Sequence, residues 1–232
     1  MSKYCIIGHH GFIGSALAKA IGNFTTYPVE QTEYIFYMGG MVHPVFEKNP
    51  TYFRLREDAM MMALIAYCGN KKTKLIYCSS ALVLEKNNPF STYKKSIERL
   101  AGGVFSLGLR IFPVYGPGDH DTFITQAIKK IMKDESPEIW GDGTQARDFI
   151  YVDDVARIIF ENKDKVGILE VGTGDPVSFN EIVEKVNKYF GKDVKPVYKP
   201  APEGYSPGIK AFEKLQVNVS LEEGIKKICE AL

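Results

Sequence analysis

The chain has 232 residues, 45% of them hydrophobic and 25% charged, with a formal net charge of +1 at pH 7. That size suits one large domain, or one domain with a small lobe, and the balance of apolar and charged residues is that of a soluble globular protein. The near-zero charge gives no strong pull toward nucleic acid or an anionic membrane, no apolar run is long enough to span a bilayer, no signal-peptide pattern opens the chain, and four cysteines without C-x-x-C spacing read as reduced residues of a cytoplasmic protein.

The first element is an apolar run, residues 4–7, which reads as a strand. Gly8, Gly11 and Gly14 follow in the string Gly8-His9-His10-Gly11-Phe12-Ile13-Gly14, and a helical pattern covers 14–21. Such a turn bares backbone amides at a helix N-terminus. The backbone of Gly8, Gly11, Phe12, Ile13 and Gly14, with the helix dipole, would then suit the pyrophosphate of a dinucleotide. The spacing is G-x-x-G-x-x-G rather than G-x-G-x-x-G, so a plain strand-to-helix turn is the competing reading. Residues 24–29 supply one short strand, and 34–38, 75–78, 107–112 and 168–171 read as further strands. Helical patterns cover 59–68, 92–105, 122–132 and 155–161. This alternation predicts a parallel α/β sheet. Capping boxes at Ser178-Phe179-Asn180-Glu181 and Ser220-Leu221-Glu222-Glu223 open two later helices, and Pro and Gly mark 196–208 as a surface loop.

Several segments then fall in a telling order. Ile76-Tyr77-Cys78-Ser79-Ser80-Ala81 is a strand ending in serines, and Ser91-Thr92-Tyr93-Lys94-Lys95-Ser96 carries a tyrosine. Downstream come Leu109-Arg110-Ile111-Phe112-Pro113-Val114-Tyr115-Gly116-Pro117-Gly118 and Gly141-Asp142-Gly143-Thr144-Gln145-Ala146-Arg147-Asp148-Phe149-Ile150-Tyr151-Val152-Asp153-Asp154. Glu170-Val171-Gly172-Thr173-Gly174 and Val219-Ser220-Leu221-Glu222-Glu223-Gly224 complete the set. The chain resembles the extended short-chain dehydrogenase/reductase family, specifically its nucleotide-sugar epimerases and dehydratases. The resemblance implies a Rossmann-like doubly wound parallel sheet with a small C-terminal substrate lobe. It implies NAD or NADP as cofactor, a nucleotide sugar as substrate, and a homodimer formed through the helices at 59–68 and 92–105. The dinucleotide-binding core would cover about 1–112 and 151–164, and the substrate lobe about 113–150 and 165–232, with no clean linker between them.

The chemistry implied is a reversible hydride transfer. Tyr93 takes the proton of a sugar hydroxyl, Ser80 hydrogen-bonds the same oxygen, and a lysine four residues after the tyrosine lowers its pKa. Gly39, in the turn after strand 34–38, joins the cofactor site. Arg147 reaches the nucleotide diphosphate, for which a guanidinium is suited by bidentate bonding, and Tyr115 contacts the substrate. Pairing of Arg147 with Asp148 or Asp153 is its structural alternative.

The chain departs from this pattern at several points. Position 97 is Ile97, not lysine. Lys94 and Lys95 lie roughly 100° and 200° around the helix from Tyr93, which puts them on a solvated face, while Ile97, Leu100, Ala101 and Val104 face the core. An unassisted tyrosine with a pKa near 10 is phenolate about one part in a thousand at pH 7, so the expected chemistry is slow or absent. The stretch between Gly14 and Phe36 is too short for two strands and a helix, Glu30 is a poor match for a ribose-binding acid, and Pro113 replaces an asparagine. These losses predict weak NAD binding. His43 would sit near the pocket mouth, and Asp119-His120-Asp121 points in too many directions to hold a metal. Two functions remain open: an NAD(P)-dependent nucleotide-sugar epimerase or dehydratase with Tyr93 as acid/base, and a non-catalytic relative that binds a nucleotide or a partner protein.

Overall fold

Strands that are covered on both faces need nearly unbroken apolar sequence, and the runs Tyr-Ile-Phe-Tyr at 34–37 and Lys-Leu-Ile-Tyr-Cys at 74–78 meet that need. The computed structural model describes residues 2–40, 49–85, 89–119, 121–202, 205 and 208–232. In chain order the elements are β1 (Tyr4–Ile7), α1 (Phe12–Ile21), β2 (Tyr34–Tyr37), α2 (Pro50–Lys71), β3 (Lys74–Cys78), a 3-10 turn (Ala81–Leu84), α3 (Pro89–Ala101), β4 (Ser106–Ile111), β5 (Val114–Tyr115), α4 (Phe123–Met132), β6 (Glu138–Trp140), β7 (Ala146–Arg147), β8 (Ile150–Tyr151), α5 (Val152–Glu161), β9 (Gly167–Val171), β10 (Val177–Ser178), α6 (Phe179–Phe190), β11 (Val197–Lys199) and α7 (Leu221–Ala231). They divide into two units, Met1–Ile111 with Val155–Val171, and Phe112–Asp154 with Gly172–Leu232.

The first unit is a five-stranded sheet of order β1-β2-β3-β4-β9, parallel throughout. Residues 167–171, expected in the substrate lobe, are instead its last strand, with Leu107 opposite Gly167 and Ile111 opposite Val171. β1 lies at the edge. The strand expected at 24–29 shrinks to a single bridge between Cys5 and Thr25, held by Ile6 N donating to Thr25 O and Thr25 N donating to Tyr4 O, each at 2.9 Å. The second winding of the sheet is reduced to that bridge. On one face, α2 and α3 lay Met61, Leu64 and Ile97 against Ile35 and Leu75. Met61 is fully buried while Met60 and Met62 are exposed, so the apolar run at 60–65 divides between core and surface.

Three small ladders join the second unit: β5 with β8 and β6 with β11 in parallel, and β7 with β10 antiparallel. β11 lies inside the stretch expected to be a loop, because its backbone completes an edge beside β6. The capping box at α6 forms in full, with Glu181 N donating to Ser178 Oγ at 3.2 Å and Ser178 N donating to Glu181 Oε2 at 2.8 Å. Asp148 is the buried node of this unit. Its carboxylate accepts from Thr173 N at 2.7 Å, Gly174 N at 2.9 Å and Ala211 N at 2.9 Å, and from the Thr173 hydroxyl. No described helix is long and apolar enough to cross a membrane.

A buried acceptor serving three amides leaves all three unsatisfied when it is removed. Asp148→Ala should therefore cost about 3 kcal/mol or more in urea denaturation. A loss below about 1 kcal/mol would show that water takes over those amides.

Candidate functional site

The glycine turn is built by close backbone approach. Gly8 has φ +91°, and a Cβ there would stand 2.5 Å from Gly39 N. A Cβ on Gly14 would run into the Gly8 carbonyl oxygen. α1 begins at Gly11, whose N–H donates back to Gly8 O at 3.0 Å, and no side chain caps the helix. The first-turn amides are thus left for a ligand to satisfy, which fits the pyrophosphate of a dinucleotide. Gly39 joins Gly8, Gly11, Phe12, Ile13 and Gly14 here through that backbone contact. The adenosine side fits less well. Glu30 is exposed, and Glu33 pairs with Lys3 at 3.4 Å. The His9 ring lies 3.8 Å from that of His10 and 5.6 Å from Phe24.

At the far end of β3, Ser79 Oγ donates to Glu98 Oε1 at 2.6 Å, a strand-end role. Ser80 opens the 3-10 turn and accepts from Leu82 N at 3.2 Å, with its side chain partly exposed. Glu98 also takes a bidentate bond from Arg110, Nε to Oε1 at 3.0 Å and Nη2 to Oε2 at 2.9 Å, which fixes α3 on β4.

The buried face of α3 is Phe90, Ser91, Tyr93, Lys94, Ile97 and Ala101. Lys94, expected on a solvated face, is 2% exposed and its Nζ bonds Glu57 Oε1 of α2 at 2.7 Å, Glu57 being 3% exposed. The wheel expectation fails because the stripe runs through 90, 94, 97 and 101, one step around from the stripe through 97, 100 and 104, and Leu100 is exposed. Removing either partner of such a pair strands a buried charge, at a typical cost of about 3–5 kcal/mol. Four residues before Lys94 stands Phe90, whose ring centroid is 5.6 Å from Nζ. The resemblance sets the tyrosine at Tyr93 and the lysine position at Ile97, so Lys94 stands one residue after the tyrosine and not four. The signal was present in the sequence: Phe90, Lys94 and Ile97 share the i, i+4, i+7 pattern of one helical face.

Tyr93 is buried, with its hydroxyl turned to Glu57. Burial first, and then the charges of Glu57 and Asp58, push its pKa far above the ordinary phenol value. That is opposite to the shift a phenolate base needs. Ile97 is 1% exposed within the core cluster of α2, α3 and the sheet, so a lysine there would bury an ammonium among apolar side chains.

In the second unit, Asp148 is taken up by the amides of 173, 174 and 211, and the Arg147 guanidinium lies over the rings of Phe179 and Tyr205 at 5.6 and 5.5 Å. Those rings help line a cavity of about 410 Å³ together with Phe123 and Trp140. Phe123 stacks on Phe179 at 4.3 Å. A flat base suits such aromatic walls, and a diphosphate suits the guanidinium that lies over two of the rings. Tyr115 does not join them. It is buried, edge-on to Tyr151 at 5.6 Å, and a Cβ on Gly224 would come within 2.5 Å of its ring, so it is a core residue of this unit. Asp119 caps the entry to α4, accepting from Asp121 N at 3.0 Å and Thr125 Oγ1 at 2.7 Å. His43 and His120 lie outside the described residues.

Residues 95–166 match the family model described as the NAD dependent epimerase/dehydratase family. The UDP-glucuronate 4-epimerase of Thermodesulfobacterium geofontis is 36% identical over 157 residues, covering 60% of this chain and 49% of that protein. The ADP-L-glycero-D-manno-heptose-6-epimerase of Brachyspira hyodysenteriae is 30% identical over 206 residues, covering 75% and 62%. The chain thus spans about half the length of the first curated relatives it matches. The solved UDP-N-acetylglucosamine 4-epimerase of Methanobrevibacter ruminantium M1 shares the fold, with a TM-score of 0.85 at 22% identity over 98% of this chain and 97% of that one. Over residues 95–166 the chain is similar to the NAD-dependent epimerase/dehydratase family.

Proposed function

We propose that this chain binds NAD or NADP at the glycine turn of its first unit and a nucleotide sugar at the Arg147 cavity of its second. The observation that carries this reading is the uncapped start of α1, where Gly8 and Gly14 leave no room for side chains beside the first-turn amides. NAD, when bound, supplies the hydride acceptor that sugar epimerisation or dehydration requires. The chain's own residues then divide the rest. Ser80, partly exposed at the end of β3, is the hydroxyl available to a sugar oxygen, and Arg147 offers its guanidinium to the diphosphate. A cytoplasmic location agrees with four free thiols. Exposed Leu55 and Met62 on α2 support a homodimer as the assembly.

One observation favours binding without turnover over Tyr93 acid/base chemistry. The Tyr93 hydroxyl is buried against Glu57 and its pKa is raised, so it neither reaches a sugar nor gives up its proton near neutral pH.

Calorimetry should detect NADH binding to the full chain and a loss of tenfold or more in Gly14→Ala; equal affinity in the two would move the cofactor away from this turn. UDP-sugars should raise the melting temperature, as a ligand at 100 times its Kd stabilises by about 2.7 kcal/mol, and Arg147→Ala should abolish that shift while leaving the ligand-free melting temperature within a few degrees. Incubated with NAD and UDP-glucose or UDP-glucuronate, the chain should produce no epimer. Turnover that disappears in Tyr93→Phe would restore Tyr93 as the base.

A further inference from the structure

Two histidines fill the glycine turn. His9 and His10 are the residues between Gly8 and Gly11, and their ring centroids lie 3.8 Å apart at an interplanar angle of 43°. The His9 ring is half-buried beside Phe24 at 5.6 Å, and His10 is exposed. Among the described residues, neither imidazole is hydrogen-bonded or ion-paired. The backbone contacts that shape the turn use neither side chain. The charged groups on the surrounding elements are engaged or turned elsewhere. Lys3 pairs with Glu33 before the N-terminal ends of β1 and β2, Lys19 is in the last turn of α1, and Glu30 is exposed. Across Gly39, Tyr37 is buried, and beside Gly40 the Lys94–Glu57 pair carries opposed charges.

Consecutive Cα atoms are about 3.8 Å apart, so His10 Cα is within about 7.6 Å of Phe12 Cα. Screening at physiological salt acts over about 8 Å. An anion held on the amides of Phe12 and Ile13 therefore feels charge on these rings whether or not it touches them. Positive charge on either ring is opposed by charge on its neighbour and by the positive end of α1, and an anion in the turn relieves both. Binding and protonation then favour each other by the same factor. Resting on the reading that this turn takes a dinucleotide, we infer that the His9–His10 pair couples dinucleotide binding to uptake of a proton. The sign follows from the charges. Affinity is highest where a ring is protonated and falls as pH rises through the range in which histidines titrate.

The probes are NAD and ADP-ribose, whose diester phosphates keep their charge between pH 6 and pH 8. Calorimetry on the full chain, in pairs of buffers with different ionisation enthalpies, reads affinity and protons taken up together. Both ligands should bind about threefold or more tighter at pH 6 than at pH 8, with net proton uptake at pH 7. The double variant His9→Phe/His10→Phe keeps two rings beside Phe24 and removes the titrating nitrogens. It should bind at both pH values with the strength the parent has at pH 8, and take up no proton. His10→Lys, with a fixed charge, should bind at both pH values about as tightly as the parent does at pH 6. Added KCl at 0.5 M should draw the parent's ratio toward one. If the double variant fails to fold, His10→Phe alone, at the exposed ring, should give a smaller ratio than the parent. NAD binding with no pH ratio in the parent, or with the same ratio in the phenylalanine variants, would overturn the role of the histidines and leave the dinucleotide reading standing. Absence of binding by either ligand at pH 6, in the parent and in His10→Lys, would overturn the dinucleotide reading and this inference with it.

Discussion

At Gly8 the turn after β1 and the end of β2 meet backbone to backbone, with no room for a methyl group between them. This contact brings the amides of the α1 start beside Gly39, and it sets Gly40 against the charged atoms of α2 and α3. Three glycines lose more conformational freedom on folding than any other residues would, roughly 0.5–1 kcal/mol each relative to alanine. The loss is tolerated because only glycine allows an α-helix to start so close to the strand it follows. A ligand that satisfies the first-turn amides inherits that geometry.

The same end of the sheet holds the buried pair of Lys94 and Glu57. A lysine and a glutamate taken out of water are stabilised chiefly by each other. Around the pair stand Phe90 one turn earlier on α3, the Tyr93 ring 5.7 Å from Lys94 Nζ, and Cys78, whose thiol burial pushes up to about 12. The cation at this point is therefore spent on Glu57 instead of on a phenol. With Ile97 four residues after Tyr93, no ammonium stands at the spacing the resemblance implies, and Tyr93 faces a carboxylate that opposes its ionisation.

Much of the sheet was legible because parallel strands advertise themselves as short apolar runs, and β1 through β4 and β9 agree with the expected strands to within a residue at each end. The capping boxes at Ser178 and Ser220 were legible for the same local reason. α2 was less so: expected over 59–68, it runs from Pro50 to Lys71, because its start depends on the Asn49 side chain accepting from Tyr52 N at 3.1 Å and on a proline at the first position, not on apolar periodicity. Lys94 was misplaced because a lysine on a helix is ordinarily solvated. Only a partner distant in sequence, Glu57, makes its burial tolerable, and a helical wheel contains no such partner. Tyr115 was misplaced for the converse reason, since a motif gives a residue's position along the chain but not which side of a two-residue strand faces the core.

The edge position of β1 bears on the adenosine side of the glycine turn. Where a full second winding would flank β1 and bury an adenosine pocket, this chain places a single bridge at Thr25 and the surface residues leading to Glu33. A dinucleotide at the glycine turn then has fewer protein groups on its adenosine half, and a larger share of its binding free energy must come from the pyrophosphate and the opposite end.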